Sequence, residues 1–212
     1  MHSTGLVIYG KAMGKQGRIA PQKQKTNKVK LKESVAHMLT SLGHPIKGEL
    51  KSTPSRVSSL WADKLLCGEN LDVANILKRP MKTQNPEPII VTNLGIHMVC
   101  PHHLTVAFGE AHLAYLPNDH IVGFGTLSKV VEAACAKIIL QEDATKEITN
   151  ALLEHLSVKA AVCVIQAVHP CHRILHPKSQ KSEAITWASS GQQKASKELR
   201  SLLKAALSDK KS

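Results

Sequence analysis

Aromatic residues are scarce in this chain, because Phe, Trp and Tyr together make up only 3% of its 212 residues. Its core therefore has to rest on Val, Ile, Leu and Ala, and a hydrophobic fraction of 42% is enough for one. No apolar run approaches the roughly 20 residues of a membrane span, and the start lacks the long apolar stretch of a signal peptide. We therefore expect a single cytoplasmic domain with an extended arm and no membrane contact.

The chain also lacks a disulfide framework. Its five cysteines are an odd number, which together with the missing signal peptide indicates a reducing compartment and thiolates that are free to bind metal. Cys67, Cys135 and Cys163 lie within apolar stretches and are predicted to be inert core residues.

Positive charge exceeds negative charge by 12, and much of the excess lies in residues 11–32 and 208–212. Arginines and aromatic residues suited to base stacking are not interleaved with these lysines, and no known nucleic-acid motif is present. The composition therefore does not favour a nucleic-acid partner. Solvated basic ends are the expectation, with attraction for anionic metabolites or weak RNA contact left open.

Three regions differ in their residue patterns. Residues 1–30 are polar and basic and lack apolar periodicity, which predicts disorder. Residues 31–87 form a helical region: an apolar stripe of helical period runs over 31–42, and Thr53-Pro54 begins a second helix that Gly68 ends.

The third region, residues 88–212, mixes strands and helices. Strands are predicted at 88–100, 103–117, 121–125, 158–170 and 184–191, and helices at 127–140, 144–156 and 194–207. This order predicts an α+β domain with helices layered on an antiparallel sheet.

One pair of short segments carries metal chemistry. Cys100 and His103 lie three residues apart, and Cys171 follows some seventy residues later, two residues after His169. A catalytic zinc has three protein ligands and one open position, whereas a structural zinc normally has four. His102, His172 and His97 are candidates for a fourth ligand. The residues alone therefore leave a catalytic and a structural zinc site equally open.

Several motifs follow one another along the chain: Thr53-Pro54-Ser55-Arg56, Cys100-Pro101-His102-His103, the set Gly109, His112, Tyr115 and Pro117, then Val122-Gly123, Gln141-Glu142 and His169-Pro170-Cys171. In this order and spacing they resemble the GTP cyclohydrolase I family, zinc enzymes that open the guanine imidazole ring. The resemblance covers about three quarters of the chain, from residue 50 to its end.

The resemblance implies a role for each of these residues. Cys100, His103 and Cys171 would hold Zn²⁺, and its bound water would attack C8 of the purine. His102 and His169 would be the catalytic proton-transfer groups. The substrate-binding set would be Glu142, which anchors the guanine edge, with Gln141, Val122, Gly123, Phe124, Lys129 and Arg56.

The fold implied by the resemblance is the tunnelling fold (T-fold). In this fold an antiparallel sheet carries helices on one face, and the sheets of several subunits join into a β-barrel. Active sites of the family lie at subunit interfaces, so we expect a homo-oligomer resembling the family's decamer. Arg56 is a residue that the family contributes across such an interface.

The chain departs from the family at the phosphate end of the substrate. Thr126, Leu175 and Ser59 replace three basic residues, so that Arg56 and Lys129 alone remain of five alignable cations. In addition, Gly125 replaces a serine near the ribose and Pro101 replaces the signature glutamate.

Three other functions stay open at this point. A paralogue could hydrolyse a purine base or nucleoside without a triphosphate, or stop at the ring-opened product. A non-catalytic, zinc-stabilised basic module would need four protein ligands. A reductase on the same fold would need an activated thiol away from the metal, and neither Cys67 nor Cys135 has an evident activating neighbour in the sequence.

Overall fold

The computed structural model describes residues 26–84 and 86–208. Its helices are α1 (Lys28–Ser41), α2 (Thr53–Leu60), α3 (Val73–Leu77), α4 (Phe124–Cys135), α5 (Gln141–His155), α6 (Pro170–Leu175) and α7 (Gln193–Ser208). Its strands are β1 (Met81–Lys82), β2 (Ile89–Val99), β3 (Val106–Leu116), β4 (His120–Ile121), β5 (Ala160–Val168) and β6 (Ala184–Gly191). Of the segment 1–30 that was expected to be disordered, residues 1–25 lie outside the described residues, whereas α1 includes Lys28 to Lys30.

Helix α1 has well-defined ends. The side chain of Asn27 accepts a hydrogen bond from the Lys30 N–H at 3.0 Å, which caps the first turn. At the other end the His44 N–H donates to the Leu39 carbonyl, and Gly43 takes a φ of +80°. This is a Schellman termination, in which glycine adopts the left-handed conformation without steric cost. The predicted stop at Gly43 is confirmed.

The helix predicted from Thr53 begins there, with Pro54 in its first turn. Its regular α-helical part ends at Leu60, and a wider π-helical turn continues to Leu65. A 3₁₀ turn, Cys67–Asn70, then includes Gly68, at which the helix was expected to end.

The main sheet has four antiparallel strands in the order β2-β3-β5-β6. Ala111 pairs with Ile165 and Leu113 with Cys163, so these residues share one face of the sheet. The order of the strands along the chain and their antiparallel pairing agree with the predicted α+β domain.

Two predicted elements differ by more than three residues at one end, whereas the helix predicted from residue 144 begins at Gln141 and the strand predicted from residue 103 begins at Val106. The strand expected at 121–125 reduces to His120–Ile121, which pairs with Met81–Lys82; α4 begins at Phe124 instead, because its apolar residues follow helical spacing. The helix expected at 127–140 ends at Cys135. Beyond it the chain pairs with the end of β2, where the Val99 N–H donates to the Lys137 carbonyl at 2.9 Å.

Helices α4 and α5 cover one face of the sheet and bury the main core, which contains Leu113, Leu127 and Ile148. Helix α7 packs on the opposite face, where Leu199 and Leu203 contact a second cluster. Helices α4 and α5 thus lie together on one face of the sheet, as expected. Helix α7 differs from this expectation, because it covers the other face. Within the described residues, no helix combines the length and apolarity needed to cross a lipid bilayer.

Candidate active site

A cavity of about 470 Å³ lies where β2 and β5 end and where α5 begins. Four chain segments form its wall: the turn after β2, the first turn of α5, the turn from β5 into α6, and the residues that lead into β6. The lining residues are Cys100, Pro101, His102, His103, Ile139, Leu140, Gln141, Glu142, His169, Cys171, His172, Leu175, His176, Ser182, Glu183 and Ala184.

Cys100, His103 and Cys171 come together in this cavity, and their ligand atoms all lie within 4.8 Å of one another. Cys100 directly follows β2, and its turn is fixed by the Leu104 N–H, which donates to the Cys100 carbonyl at 2.8 Å. The two thiols are buried and the imidazole is exposed, so the group could receive an ion from the cavity side.

The local structure around Cys171 differs from the prediction. The strand predicted over 158–170 was expected to continue through His169, but β5 ends at Val168 and Pro170 starts α6. Proline at the first position of a helix loses no hydrogen bond. Cys171 therefore reaches the other two ligands from a helical turn.

The donor set suits zinc. Two sulfur ligands of a tetrahedral zinc, each at about 2.3 Å from the metal, lie about 3.8 Å apart, which small side-chain rotations reach from the observed spacing. Of the candidates for a fourth ligand, His102 places its Nδ1 3.8 Å from the Cys100 Sγ, whereas the His97 Nε2–H donates a hydrogen bond to the Lys64 carbonyl at 3.0 Å. Within the described residues the metal-binding group has three members, the number typical of a catalytic zinc.

His169 is held by Gln141, the first residue of α5. The His169 Nε2 lies 2.8 Å from the Gln141 Oε1, and the Gln141 Nε2 donates to the carbonyls of Ile165 at 3.1 Å and Ala184 at 3.0 Å. The Gln141 side chain is buried. Its amide group is thus engaged on both sides by atoms of the protein.

Burial lowers the pKa of His169, the Glu142 carboxylate opposes this shift, and His172 adds to it. A lowered pKa favours the neutral imidazole near pH 7. His169 is therefore suited to accept a proton in the resting site.

Glu142 lies in the first turn of α5, where its side chain is exposed to the cavity. The N-cap residue is Leu140, which offers no side-chain acceptor to the first N–H groups of the helix. The first N–H groups of α5 therefore have no side-chain cap, and together with the positive end of the helix dipole they attract a hydrogen-bond acceptor of a ligand. A carboxylate and free N–H donors thus lie side by side.

The remaining candidate residues lie outside this cavity. Val122 is buried, with its N–H 3.5 Å from the Tyr115 hydroxyl, and Gly123 and Phe124 lie at the start of α4. Lys129 lines a separate depression with His97 and Glu132, and Arg56 is exposed on α2. One chain therefore unites the metal group, the two histidines, Gln141 and Glu142, but not the other five residues.

The cavity wall contains five histidines and no lysine or arginine among the described residues. Arg173 points its guanidinium at the Ser182 carbonyl, with donor distances of 2.9 and 3.2 Å. His172 and His176 pack with their ring centroids 4.8 Å apart. Among the residues that the structure describes, this cavity wall therefore holds none of the phosphate-binding cations that the resemblance implies.

Sequence reasoning missed the part of the wall formed by Ser182, Glu183 and Ala184. These residues enter the cavity because β6 pairs with β5, with Ala167 opposite Ala184. No local sequence signal marks them, since their position depends on which strand lies beside β5.

None of the three cysteines outside the cavity has an activated thiol. Burial raises the pKa of Cys135 to about 12 and that of Cys163 well above its usual value. Burial also raises the pKa of Cys67, assisted by Glu132, which accepts a hydrogen bond from its thiol at 3.4 Å. A nucleophilic cysteine needs a lowered pKa, so these thiols do not support a thiol-based reductase.

Comparisons with known proteins point to the family that the sequence motifs resemble. The family model described as GTP cyclohydrolase I matches residues 31–207. GTP cyclohydrolase 1 of Streptococcus pyogenes serotype M18 (strain MGAS8232) is 32% identical over 173 residues, which cover 81% of this chain and 89% of that protein. GTP cyclohydrolase 1 of Ralstonia nicotianae (strain ATCC BAA-1114 / GMI1000) is 35% identical over 119 residues, 56% of this chain and 57% of that protein.

Among solved structures, the apo form of an archaeosine synthase QueF-like protein superposes with a TM-score of 0.43 at 16% identity. The match covers 51% of this chain and 98% of that one.

Proposed function

The chain belongs to the GTP cyclohydrolase I family, with its T-fold, and is a cyclohydrolase I-like enzyme; from this premise we propose that it is a zinc-dependent hydrolase that opens the imidazole ring of a guanine-type purine. The reaction for which GTP cyclohydrolase 1 is named would convert GTP and water to 7,8-dihydroneopterin triphosphate and formate. One observation carries the proposal: a single cavity contains a three-ligand metal group, two further histidines and Glu142 at an uncapped helix start.

Cys100, His103 and Cys171 would hold the zinc. A zinc with three protein ligands supplies a Lewis acid and lowers the pKa of a bound water towards about 7, which provides a nucleophile near neutral pH. The protein's part is to present two thiolates and one imidazole at a cavity that admits the substrate.

His102 and His169 line the same cavity and would move the protons of ring opening. Hydrolysis at C8 requires a base that takes a proton from the attacking water and an acid that protonates the departing ring nitrogen. Imidazoles titrate close to neutral pH and can do both. His169, whose pKa burial lowers, is suited to accept the first proton.

The start of α5 would bind the guanine edge. The Glu142 carboxylate can accept from the ring N–H and from the exocyclic amino group of guanine. The first N–H groups of α5 can donate to the guanine carbonyl oxygen. Adenine presents neither this paired donor edge nor that oxygen, so the arrangement selects guanine.

We infer that the residues outside this cavity complete the site from another copy of the chain. Val122, Gly123, Phe124, Lys129 and Arg56 would then face the purine-binding half across a subunit interface. The active species is therefore a homo-oligomer, as the T-fold of the family implies, and Lys129 and Arg56 supply positive charge to the phosphate end.

Mixing variants tests this assembly. Glu142→Gln and Arg56→Ala protein are each expected to have low activity, and refolding or co-expressing them together should restore part of it, because some interfaces then combine two intact halves. Mixing two separately expressed Glu142→Gln preparations is the matched control and should restore nothing. A monomer in light scattering, or no restoration in mixed oligomers, would contradict the shared site.

A second candidate substrate is a guanine base or nucleoside without a triphosphate. It is favoured by the absence of lysine and arginine from the described cavity wall and by the acidic Glu183 there. A triphosphate needs several cations, because each exposed ionic contact contributes only about 0–1 kcal/mol.

A substrate panel decides between the candidates. The zinc-loaded protein is incubated with GTP, guanosine and guanine in parallel, with adenosine as the control for base selection, and formate release and ultraviolet absorbance are followed. We expect formate from a guanine-containing compound and none from adenosine. Turnover of guanosine with GTP untouched supports the second candidate. The absence of both formate and a change in absorbance with every purine overturns the proposed function, whereas a change in absorbance without formate shows a reaction that stops at the ring-opened product.

A further inference from the structure

We infer that Gln141 is a positioning residue, which holds His169 as the tautomer protonated at Nε2 and so makes Nδ1 the nitrogen that exchanges protons in the cavity. The role given to Nδ1 rests on the proposed function. The tautomer itself is independent of the proposed function, since it follows from hydrogen bonds within the protein.

The orientation of the Gln141 amide is fixed by its backbone partners. Its terminal nitrogen faces the Ile165 carbonyl at 3.1 Å and the Ala184 carbonyl at 3.0 Å. A carbonyl oxygen accepts and never donates, so the NH₂ group has to occupy this side. A flipped amide would place its own oxygen against two carbonyl oxygens and lose both hydrogen bonds that the NH₂ group donates to them.

The fixed amide in turn decides the protonation of His169. With NH₂ turned to the two carbonyls, the Gln141 Oε1 faces the His169 Nε2 at 2.8 Å. This oxygen can only accept, so Nε2 has to carry a proton. In the neutral imidazole the other nitrogen, Nδ1, then holds the free lone pair.

Nδ1 is the nitrogen left for chemistry. In the part of the chain that the structure describes, it has no hydrogen-bond partner, and His169 is part of the cavity wall. The Nε2–H bond to Gln141 also stabilises the imidazolium that forms when Nδ1 takes a proton, because the acceptor stays in place for the charged ring.

The surrounding structure makes Gln141 rigid. Its side chain is 3% exposed and also lies 3.2 Å from the Thr186 hydroxyl. Its own carbonyl accepts from the Thr145 hydroxyl at 2.6 Å. Three elements, α5, β5 and β6, thus fix one amide group. A contact between this amide and the substrate would have to break these hydrogen bonds. The Gln141 side chain therefore acts on the reaction through His169, and not by touching the purine.

The tautomer can be read by nuclear magnetic resonance without any substrate. In zinc-loaded protein with ¹⁵N-labelled histidine, two-bond ring correlations distinguish a protonated from an unprotonated nitrogen, and a His169→Gln sample assigns the signal among the 12 histidines. We expect His169 to be protonated at Nε2. Protonation of the neutral ring at Nδ1 instead would overturn the inference.

Gln141→Met retains the length of the side chain but removes the amide. We expect a mixture of tautomers and a kcat lower by about 10- to 100-fold, part of the roughly 10²–10⁴-fold that a positioned general acid or base contributes, with KM changed much less. An unchanged tautomer in Gln141→Met would overturn the inference.

Thr145→Val is the matched control. Thr145 belongs to the same buried polar group, where its hydroxyl lies 2.6 Å from that of Thr186, but it does not contact His169. We expect this variant to lower the melting temperature and leave the tautomer unchanged. If no purine is turned over and the spectra still show the Nε2–H tautomer, the proposed function fails and the positioning of His169 stands.

Discussion

Cys171→Ala is expected to lose bound zinc and to reduce formate release by at least about 1,000-fold, since Lewis-acid stabilisation is worth several kcal/mol and each 1.36 kcal/mol is a tenfold change in rate. Cys171 is one of two buried thiols in the three-ligand group, so its loss leaves two ligands and removes one negative charge from the metal site. Metal content by atomic emission and formate release on the same preparation check the prediction.

Cys67→Ser is the control for this experiment. Cys67 lies outside the cavity, and serine can keep the hydrogen bond that its thiol donates to Glu132. We expect full zinc content and unchanged turnover. Treatment of the unmodified protein with a chelator should reproduce the effect of Cys171→Ala, and zinc should reverse it. A Cys171→Ala protein with normal zinc and activity would contradict the ligand assignment.

Glu142→Gln should lower kcat/KM for the guanine substrate by about 100-fold or more, mainly through KM. The carboxylate would make two charge-assisted hydrogen bonds to the guanine edge, each worth about 1.5–3 kcal/mol. The amide of glutamine keeps one acceptor and turns a donor towards another donor. Because the base does not react at this edge, the lost contact is the same in the bound substrate and in the transition state, which raises KM.

Asp143→Asn is matched to this variant. Asp143 is the second acidic residue in the first turn of α5 but does not line the cavity, so this change removes the same charge at the same helix end. Steady-state kinetics should show a small effect, because a charge near a helix terminus contributes only about 0.3–1 kcal/mol at an exposed position. Equal effects of the two variants would show that helix electrostatics, and not a guanine contact, accounts for the loss.

The chemistry of the candidate site was largely readable from the sequence. The Cys100 and His103 pair indicated metal only together with the distant Cys171, and ordered motifs indicated which histidines and which glutamate accompany it. These features depend on residue type, which the sequence states directly. The C-terminal end of α1 was predictable for the same reason, since Gly43 can take the left-handed conformation that terminates a helix. Its start was not, because α1 begins at Lys28, inside the segment that was expected to be disordered.

The exact extent of the elements around the site was not readable. The segment 121–125 has β-branched and aromatic residues and was predicted to be a strand, yet packing of Leu127 and Val130 into the core draws Phe124 into α4. Likewise 136–140 is apolar enough for a helix, but pairing with Val99 takes it out of α4. In both places long-range contacts outweigh local propensity.

The sequence by itself thus determined the family and the residue types of the candidate metal group, and its departures from the family motifs predict the loss of three phosphate-binding cations. Only the tertiary structure decided that Gln141 is buried against two carbonyls and His169, that Glu183 enters the cavity wall, and that Lys129 lies in a separate depression. The physical reason is that ligand chemistry resides in single side chains. Hydrogen-bond direction and cavity shape instead depend on strands far apart in the chain, which meet only when β6 pairs with β5.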